Sequence, residues 1–290
     1  KGIRGQTIRT IAGDASPLVT GDIWYSSTTK KIRGAKIGAG AWASGPNLNT
    51  ATNNTYPAKH GTQTAGLISG GGGLTATLST TQLYNGTAWS ASPEAVPEAA
   101  YQGSGAGTQI AALRWGGHTG TSGAGACFEW DGSSWGDGGA LPKYHANTDG
   151  AGTQTAALSM AGDPPFSPLT MTYNGTAWSI EDNNLNNQRT NGAAFGTQTD
   201  AIFVSGWADE SPPNPQVYCE SWNGTSWTEV ADLNTSREGP GSIGVTGDAG
   251  QVFGGSSPPY SVRTEAWDGS SWTEVADLAT GRNGANGFGP

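Results

Sequence analysis

Ionisable chemistry is scarce in this chain. Only 13% of its 290 residues are charged, and it holds three His, two Cys and two Met. Lys and Arg number 14 against 23 Asp and Glu, a net charge of −9, and no basic cluster occurs. A phosphate-backbone footprint is therefore missing, which argues against nucleic acid as a ligand. No stretch approaches the roughly 18 consecutive apolar residues of a membrane helix, and no signal-peptide pattern is visible, so membrane insertion is not expected. Leu and Lys are few and no segment has an amphipathic 3.6-residue period, which disfavours helix. What is plentiful is Gly, at 47 residues, together with Thr, Ser, Asn and 12 Trp, a composition suited to short strands joined by tight turns.

One phrase organises these residues. In its clearest form it reads Trp222-Asn223-Gly224-Thr225-Ser226-Trp227, and it returns beginning at Tyr84, Trp130, Tyr173 and Trp267. Asn-Gly or Asp-Gly between extended segments signals a hairpin, with a type I′ turn as the expected form. The even loop length places the leading aromatic and the closing Trp on one face, an aromatic clamp at each tip. Closing tryptophans fall 46 (89 to 135), 43 (135 to 178), 49 (178 to 227) and 45 (227 to 272) residues apart, and Trp42 lies 47 before Trp89. Trp42, Trp89, Trp135, Trp178, Trp227 and Trp272 are thus one structural series, read mainly as packing between repeats.

Each full unit also carries a Gly-Thr-Gln phrase, at Gly61, Gly107, Gly152 and Gly196, read as opening a second strand. A short extended run lies ahead of it, and a variable loop and a third strand follow. Four strands per unit at this period predict a propeller blade. Arg282 to Gly289 matches Arg189 to Gly196, the start of a blade, and then the chain stops. The N-terminal part supplies a closing Trp42 without a beginning, and Gly21 to Arg33 reads as strand, polar turn, strand. The expectation is an all-β, six-bladed propeller closed by N- and C-terminal strands. Residues 1–50 would complete the last blade, with 1–36 partly an attachment segment, and 51–290 would hold five repeats plus the first strand of the closing blade. Cys127 and Cys219 occupy one position in repeats two apart, beyond disulfide reach, and are read as free and packed.

The Gly-Gly pairs after the second strand (Gly70-Gly71, Gly116-Gly117, Gly254-Gly255), an aromatic in the third strand and Trp in the fourth resemble the kelch-repeat family. More narrowly, Gly152-Thr153-Gln154-Thr155-Ala156-Ala157-Leu158 and Trp222 through Leu233 look like kelch-like tracts in bacteriophage tail-fibre and other virion proteins. Gly21 through Thr29 also looks like a segment common in phage tail proteins. The resemblance implies a virion or extracellular location, other virion proteins as partners, a homo-oligomer within an assembly, and contact with host-surface glycan or receptor.

Some kelch propellers are copper oxidases, but His60, His118 and His145 stand at different places in their units, so no metal or other cofactor is expected. Glu229, Asp232, Glu274 and Asp277 recur with the repeat and read as solvent-facing rather than as a hydrolytic carboxylate pair. Sequons at Asn53, Asn85, Asn174 and Asn223 fall, for the last three, in hairpin tips that already explain them. The non-repeating residues are better candidates for function, and they lie in loops expected on one face: His118, Phe166, Trp207, Asp209, Glu210, Tyr260 and Arg263. The expected role is non-enzymatic binding, with a structural spacer and a secreted carbohydrate-active enzyme as the alternatives.

Overall fold

A computed structural model describes residues 9–11, 23–26 and 31–34 as strands, and residues 42–289 apart from 74, 163–165, 209–214 and 257–258. Lys1–Ala41 and Trp42–Pro290 are separate compact units. In the first, β1 (Arg9–Ile11) pairs in parallel with β2 (Ile23–Ser26), and β2 pairs antiparallel with β3 (Lys31–Gly34). β2 and β3 pair antiparallel as the two strands that the sequence predicts, the turn between them lying outside the described residues, whereas the parallel β1 is unexpected.

The second unit is a β-propeller of five four-stranded sheets, with no helix among the described residues. Blade one comprises β4 (Tyr56–Pro57), β5 (Gly66–Ser69), β6 (Thr81–Tyr84) and β7 (Trp89–Ala91). Blade two comprises β8 (Ser104–Thr108), β9 (Ala111–Trp115), β10 (Ala126–Trp130) and β11 (Trp135–Ala140). Blade three runs through β12 (Asp149–Gly152), β13 (Ala157–Met160), β14 (Thr170–Tyr173) and β15 (Trp178–Ile180). Blade four holds β16 (Ala193–Gly196), β17 (Ala201–Val204), β18 (Cys219–Trp222) and β19 (Trp227–Val230). Blade five holds β20 (Gly241–Thr246), β21 (Ala249–Phe253), β22 (Thr264–Trp267) and β23 (Trp272–Glu274). All pairings within blades are antiparallel, and first strands of neighbouring blades touch one another around the axis.

The hydrophobic core lies between blades. Leu113, Trp115 and Cys127 of blade two pack with Met171, Tyr173 and Trp178 of blade three, and similar clusters join blades three to four and four to five. Both faces of the inner strands are covered, so β5, β13, β16 and β17 are buried at every residue and read as apolar or small runs. A Cβ on Gly150 would stand 2.3 Å from Trp115 of the adjacent blade, which is why so many inner-strand positions are glycine.

Repetition in sequence becomes repeated bonding. The clamps form as expected, with ring centroids 5.1 to 5.3 Å apart in the pairs Tyr84–Trp89, Trp130–Trp135, Tyr173–Trp178, Trp222–Trp227 and Trp267–Trp272. The tips are four-residue loops in which Asn or Asp Oδ1 accepts the N–H groups two and three residues on, as Asn223 does from Thr225 at 3.0 Å and Ser226 at 2.9 Å. Positive φ occurs at the Gly alone, Gly224 at 90° for example, so the turn is not type I′: the side-chain cap removes the need for a left-handed Asn. The closing Trp then reaches the preceding blade. Trp135 donates Nε1–H to Thr81 Oγ1 at 2.8 Å and Trp227 to Thr170 Oγ1 at 2.9 Å. At the same register Trp178 and Trp272 pack with Cys127 and Cys219, both free and buried. Burial pushes each thiol up to about 12, so both are inert.

The Gly-Thr-Gln phrase is the turn between first and second strands rather than the opening of the second. At Gly107, Gly152 and Gly196 the Gly has positive φ, 103° at Gly152, and in these three copies the Gln side chain is drawn onto the preceding blade. Gln109 donates to Gly66 O at 3.0 Å and Tyr84 O at 2.7 Å, and Gln154 and Gln198 repeat the pattern one blade on each time.

The expected six blades are corrected to five. The ring nevertheless has a sixth position, because Asn54, Gln102, Asn147, Asn191, Gly239 and Gly284 all turn left-handed beside the axis, with φ between 46° and 61°. Each successive residue donates N–H to the one before, at distances from 2.6 Å (Asn147 to Gln102) to 3.2 Å (Gln102 to Asn54). At that sixth position Trp42 donates to Thr264 Oγ1 at 3.1 Å, as its homologues do elsewhere, and Phe288 lies edge-on to Trp89 as Phe195 does to Trp272. Neither segment is in a described strand, and the residues that the sequence assigned to complete the blade form their own sheet, β1–β2–β3. The described residues of Trp42–Pro290 therefore form five four-stranded blades.

Two ion pairs are wholly buried: Arg189 with Glu220 at 2.8 Å, and Arg237 with Glu265. Burial lowers both guanidinium pKa values against the opposing pull of the glutamates. Glu220→Gln leaves Arg189 charged and unmatched, and urea unfolding should show a loss of about 3–5 kcal/mol, while Arg189→Met with Glu220→Met should lose far less. His145 is 1% exposed, and burial, then Lys143, push its pKa down to about 4. Because the unfolded chain binds that proton more readily, stability is full above about pH 6.5 and falls as pH drops toward 4. The 2.5-unit gap corresponds to about 3 kcal/mol at most. Denaturant titrations at pH 7 and 4.5 should show that part of the acid sensitivity vanish in His145→Met.

Candidate functional site

Two kinds of connection share one face of the propeller. Bridges Asn53↔Gly72, Tyr101↔His118, Thr190↔Trp207 and Glu238↔Ser256 pair the segment entering each of blades one, two, four and five with the start of its second-to-third loop. Gly72, His118, Trp207 and Ser256 therefore occupy one equivalent position and are four different residues. The opposite face carries the capped hairpin tips, nearly identical in every blade. The variable face is thus real in the structure.

At its centre the axis is closed by a buried network absent from the sequence expectations. Lys59 Nζ, 5% exposed as a residue, lies 2.6 Å from the Asp149 carboxylate of blade three and donates to Ala194 O of blade four at 2.8 Å. Asp149 also accepts from Ser104 Oγ at 2.9 Å and Ala194 N at 2.7 Å, and Ser242 Oγ donates to Ala194 O at 2.7 Å. Blades one to five are joined through five short bonds. Burial lowers the Lys59 pKa, and the Asp149 charge opposes that shift. Nearby, His60 Nε2 sits 3.0 Å from Gly196 O, and burial lowers its pKa. The sequence signal was faint: a Lys in a Lys-poor chain, and an Asp where the other first strands carry Tyr, Ser, Ala or Gly.

Above this plug is a polar mouth lined by Asn54, Gln102, Asn147, Thr148, Asn191 and Asn286. It offers about 70 Å³, room for a few waters rather than a sugar ring. Between blades one and two the same face has a wider, open groove of about 310 Å³, lined by Asn53, Asn54, Thr77, Tyr101 and Gly120 among others. The ring of Tyr101, which lines it, stands 5.9 Å from that of His118. Tyr101 and the groove were missed in the sequence, because Tyr101 precedes the first strand and matches no repeat.

The candidate residues are dispersed. Trp207 is 39% and Tyr260 60% exposed, in blades four and five, while Phe166 in blade three is half-buried. Arg263 is exposed and ion-paired with Glu274 at 3.1 Å, which ties it to its own blade. Asp209 and Glu210 lie outside the described residues. No contact joins His118, Phe166, Trp207 and Tyr260; they ring the face, one per blade. Among the described residues no group of three or more His, Cys, Asp or Glu gathers as a metal site would. No protein-family model matches this chain, and no curated protein matches it.

Lys59→Met removes the cation that Asp149, Ala194 and the axis are built around. Chemical denaturation should show a loss of about 3 kcal/mol, the low end for a broken buried pair because the Asp149 side chain keeps 16% exposure. Lys59→Met with Asp149→Asn should recover part of it.

Proposed function

We propose that the chain is a non-enzymatic recognition domain of a virion appendage, such as a bacteriophage tail fibre, that binds host-surface glycan or a glycosylated receptor through its variable face. The observation that carries this reading is the contrast between the two faces. One equivalent position bears Gly72, His118, Trp207 and Ser256 in blades one, two, four and five, whereas the hairpin tips repeat one capped turn. A passive spacer would need only the closed ring and has no use for such differences. The kelch-like phrases and their likeness to tail-fibre tracts support the virion setting.

The chemistry suits saccharide. Aromatic faces stack on the apolar side of a sugar ring while amides and hydroxyls bond its rim. In the groove Tyr101 supplies a ring, with His118 5.9 Å behind it, and Asn53, Asn54 and Thr77 the polar rim. Exposed Trp207 and Tyr260 extend the face into blades four and five.

Glycan-array and host-cell binding should be measured on the full chain and on Trp207→Ala with Tyr260→Ala. Saturable binding by the wild type, weakened at least tenfold in the variant with thermal stability unchanged, is the expected result. No binding, or equal binding by both proteins, leaves the spacer reading ahead, and turnover of an arrayed glycan revives the enzyme.

A further inference from the structure

In blades one and two the variable loop folds back into a second bridge, Gly72↔Thr77 and His118↔Gly123, beside Asn53↔Gly72 and Tyr101↔His118. Three extended segments therefore lie side by side in each of these blades, and residues directly opposite one another in antiparallel pairs project to the same side. Blade one presents the row Asn53, Gly72, Thr77, and blade two the row Tyr101, His118, Gly123. The rows differ in kind. One is amide, bare backbone and hydroxyl; the other begins with two rings whose centroids are 5.9 Å apart.

A third ring completes the second row. A Cβ on Gly123 would stand 2.3 Å from Tyr144 Cδ2, so the Tyr144 ring, arriving from the segment that leads into blade three, takes the place of a side chain there. Tyr144 is 48% exposed, while Tyr101 and His118 are half-buried. The aromatic row thus reads Tyr101, His118, Tyr144. Between the two rows lies the groove of about 310 Å³, lined by Asn53, Gly72 and Thr77 from blade one and by Tyr101 and Gly120 from blade two. That volume falls at the lower end of ligand sites, about 300–1,000 Å³. Gly72 keeps its floor bare, and a Cβ on Gly120 would already stand 3.3 Å from Thr77 Oγ1, so a larger residue there would narrow it. No residue lining the groove is charged, so an acidic ligand group would be desolvated there without a counter-ion.

We propose that the two rows form one saccharide site that takes the end of a linear glycan, with a neutral sugar unit in the groove and the chain continuing over His118 to Tyr144. This rests on the reading of the chain as a glycan-recognition domain, and names the primary subsite and the ligand class within it. The groove unit stacks on the Tyr101 ring and bonds the Asn53 amide and Thr77 hydroxyl at its rim. The 5.9 Å step from Tyr101 to His118 is on the scale of one sugar unit along a chain, so successive units meet successive rings. Trp207 and Tyr260, in blades four and five, are reached only by a larger glycan.

An array of neutral, uronic-acid and sialylated oligosaccharides, read with the full chain, selects the ligand, and calorimetric titration with that oligosaccharide and its shortened forms measures it. Glycans with a neutral terminal unit should be bound. Tyr101→Ala should weaken every form at least tenfold, while Tyr101→Phe, which keeps the ring, should stay within threefold of the wild type. Tyr144→Ala, at an exposed position where loss of fold is not expected, should weaken the longer forms at least fivefold and leave the shortest unchanged. Binding confined to glycans with an acidic terminal unit, or affinity indifferent to both Tyr101→Ala and Tyr144→Ala, overturns the site. If such indifferent binding is lost in Trp207→Ala with Tyr260→Ala, glycan recognition stands and its placement on these rows fails. Absence of binding to any arrayed glycan overturns both.

Discussion

The fold depends on one contact, the closing tryptophan of each hairpin lying on the third strand of the blade before it. A four-stranded antiparallel blade has two faces to bury and no core of its own. Burying a large aromatic between blades removes apolar area from both at once, worth a few kcal/mol per Trp by area. The indole N–H seeks an acceptor in that dry interface: a third-strand threonine hydroxyl receives Trp42, Trp135 and Trp227, whereas Trp272, beside Cys219, turns to Ala231 O. The Gln staple satisfies carbonyls at the other end of the same seam. Everything that repeats in the sequence serves this seam.

Because the seams hold the ring, the face around the axis is released from packing duty. Its loops begin at one fixed bridge and then diverge, so residues as unlike as Gly72, His118, Trp207 and Ser256 fit one backbone position. The axis itself is a different matter. First strands crowd there with Ala, Gly and Ser, and a gap remains that a single long side chain, Lys59, fills. A buried ammonium is tolerated only with a carboxylate and carbonyl in reach, and Asp149 and Ala194 provide both. The plug leaves only a shallow polar mouth, which moves any sugar-sized site outward to the grooves between loops.

The clamps, the blade period, the free cysteines and the variable face were legible in the sequence, because each depends on spacing alone: an even loop aligns Trp222 with Trp227, and a period near 45 residues repeats the seam. The turn type was misjudged because the Asn223 side chain, not its backbone, caps the loop. Gln109 was taken as part of a strand, since its partners, Gly66 and Tyr84, belong to another blade and leave no local trace. Tyr101 and Lys59 escaped notice because neither repeats.

What the sequence determined by itself was the unit: its four strands, its aromatic clamp, and which residues vary from copy to copy. Those are set by alternation, turn chemistry and period, all short-range. The number of four-stranded blades and the Lys59–Asp149 plug were decided by the tertiary structure alone. Matching half-repeats at the two ends record complementarity without recording pairing, and whether strands join depends on competing partners. Residues 9–11, 23–26 and 31–34 pair with one another. Six left-handed turns, Asn54 through Gly284, are linked by axial hydrogen bonds while five four-stranded sheets stand around them, because those bonds join the segments entering the blades and need no outer strand.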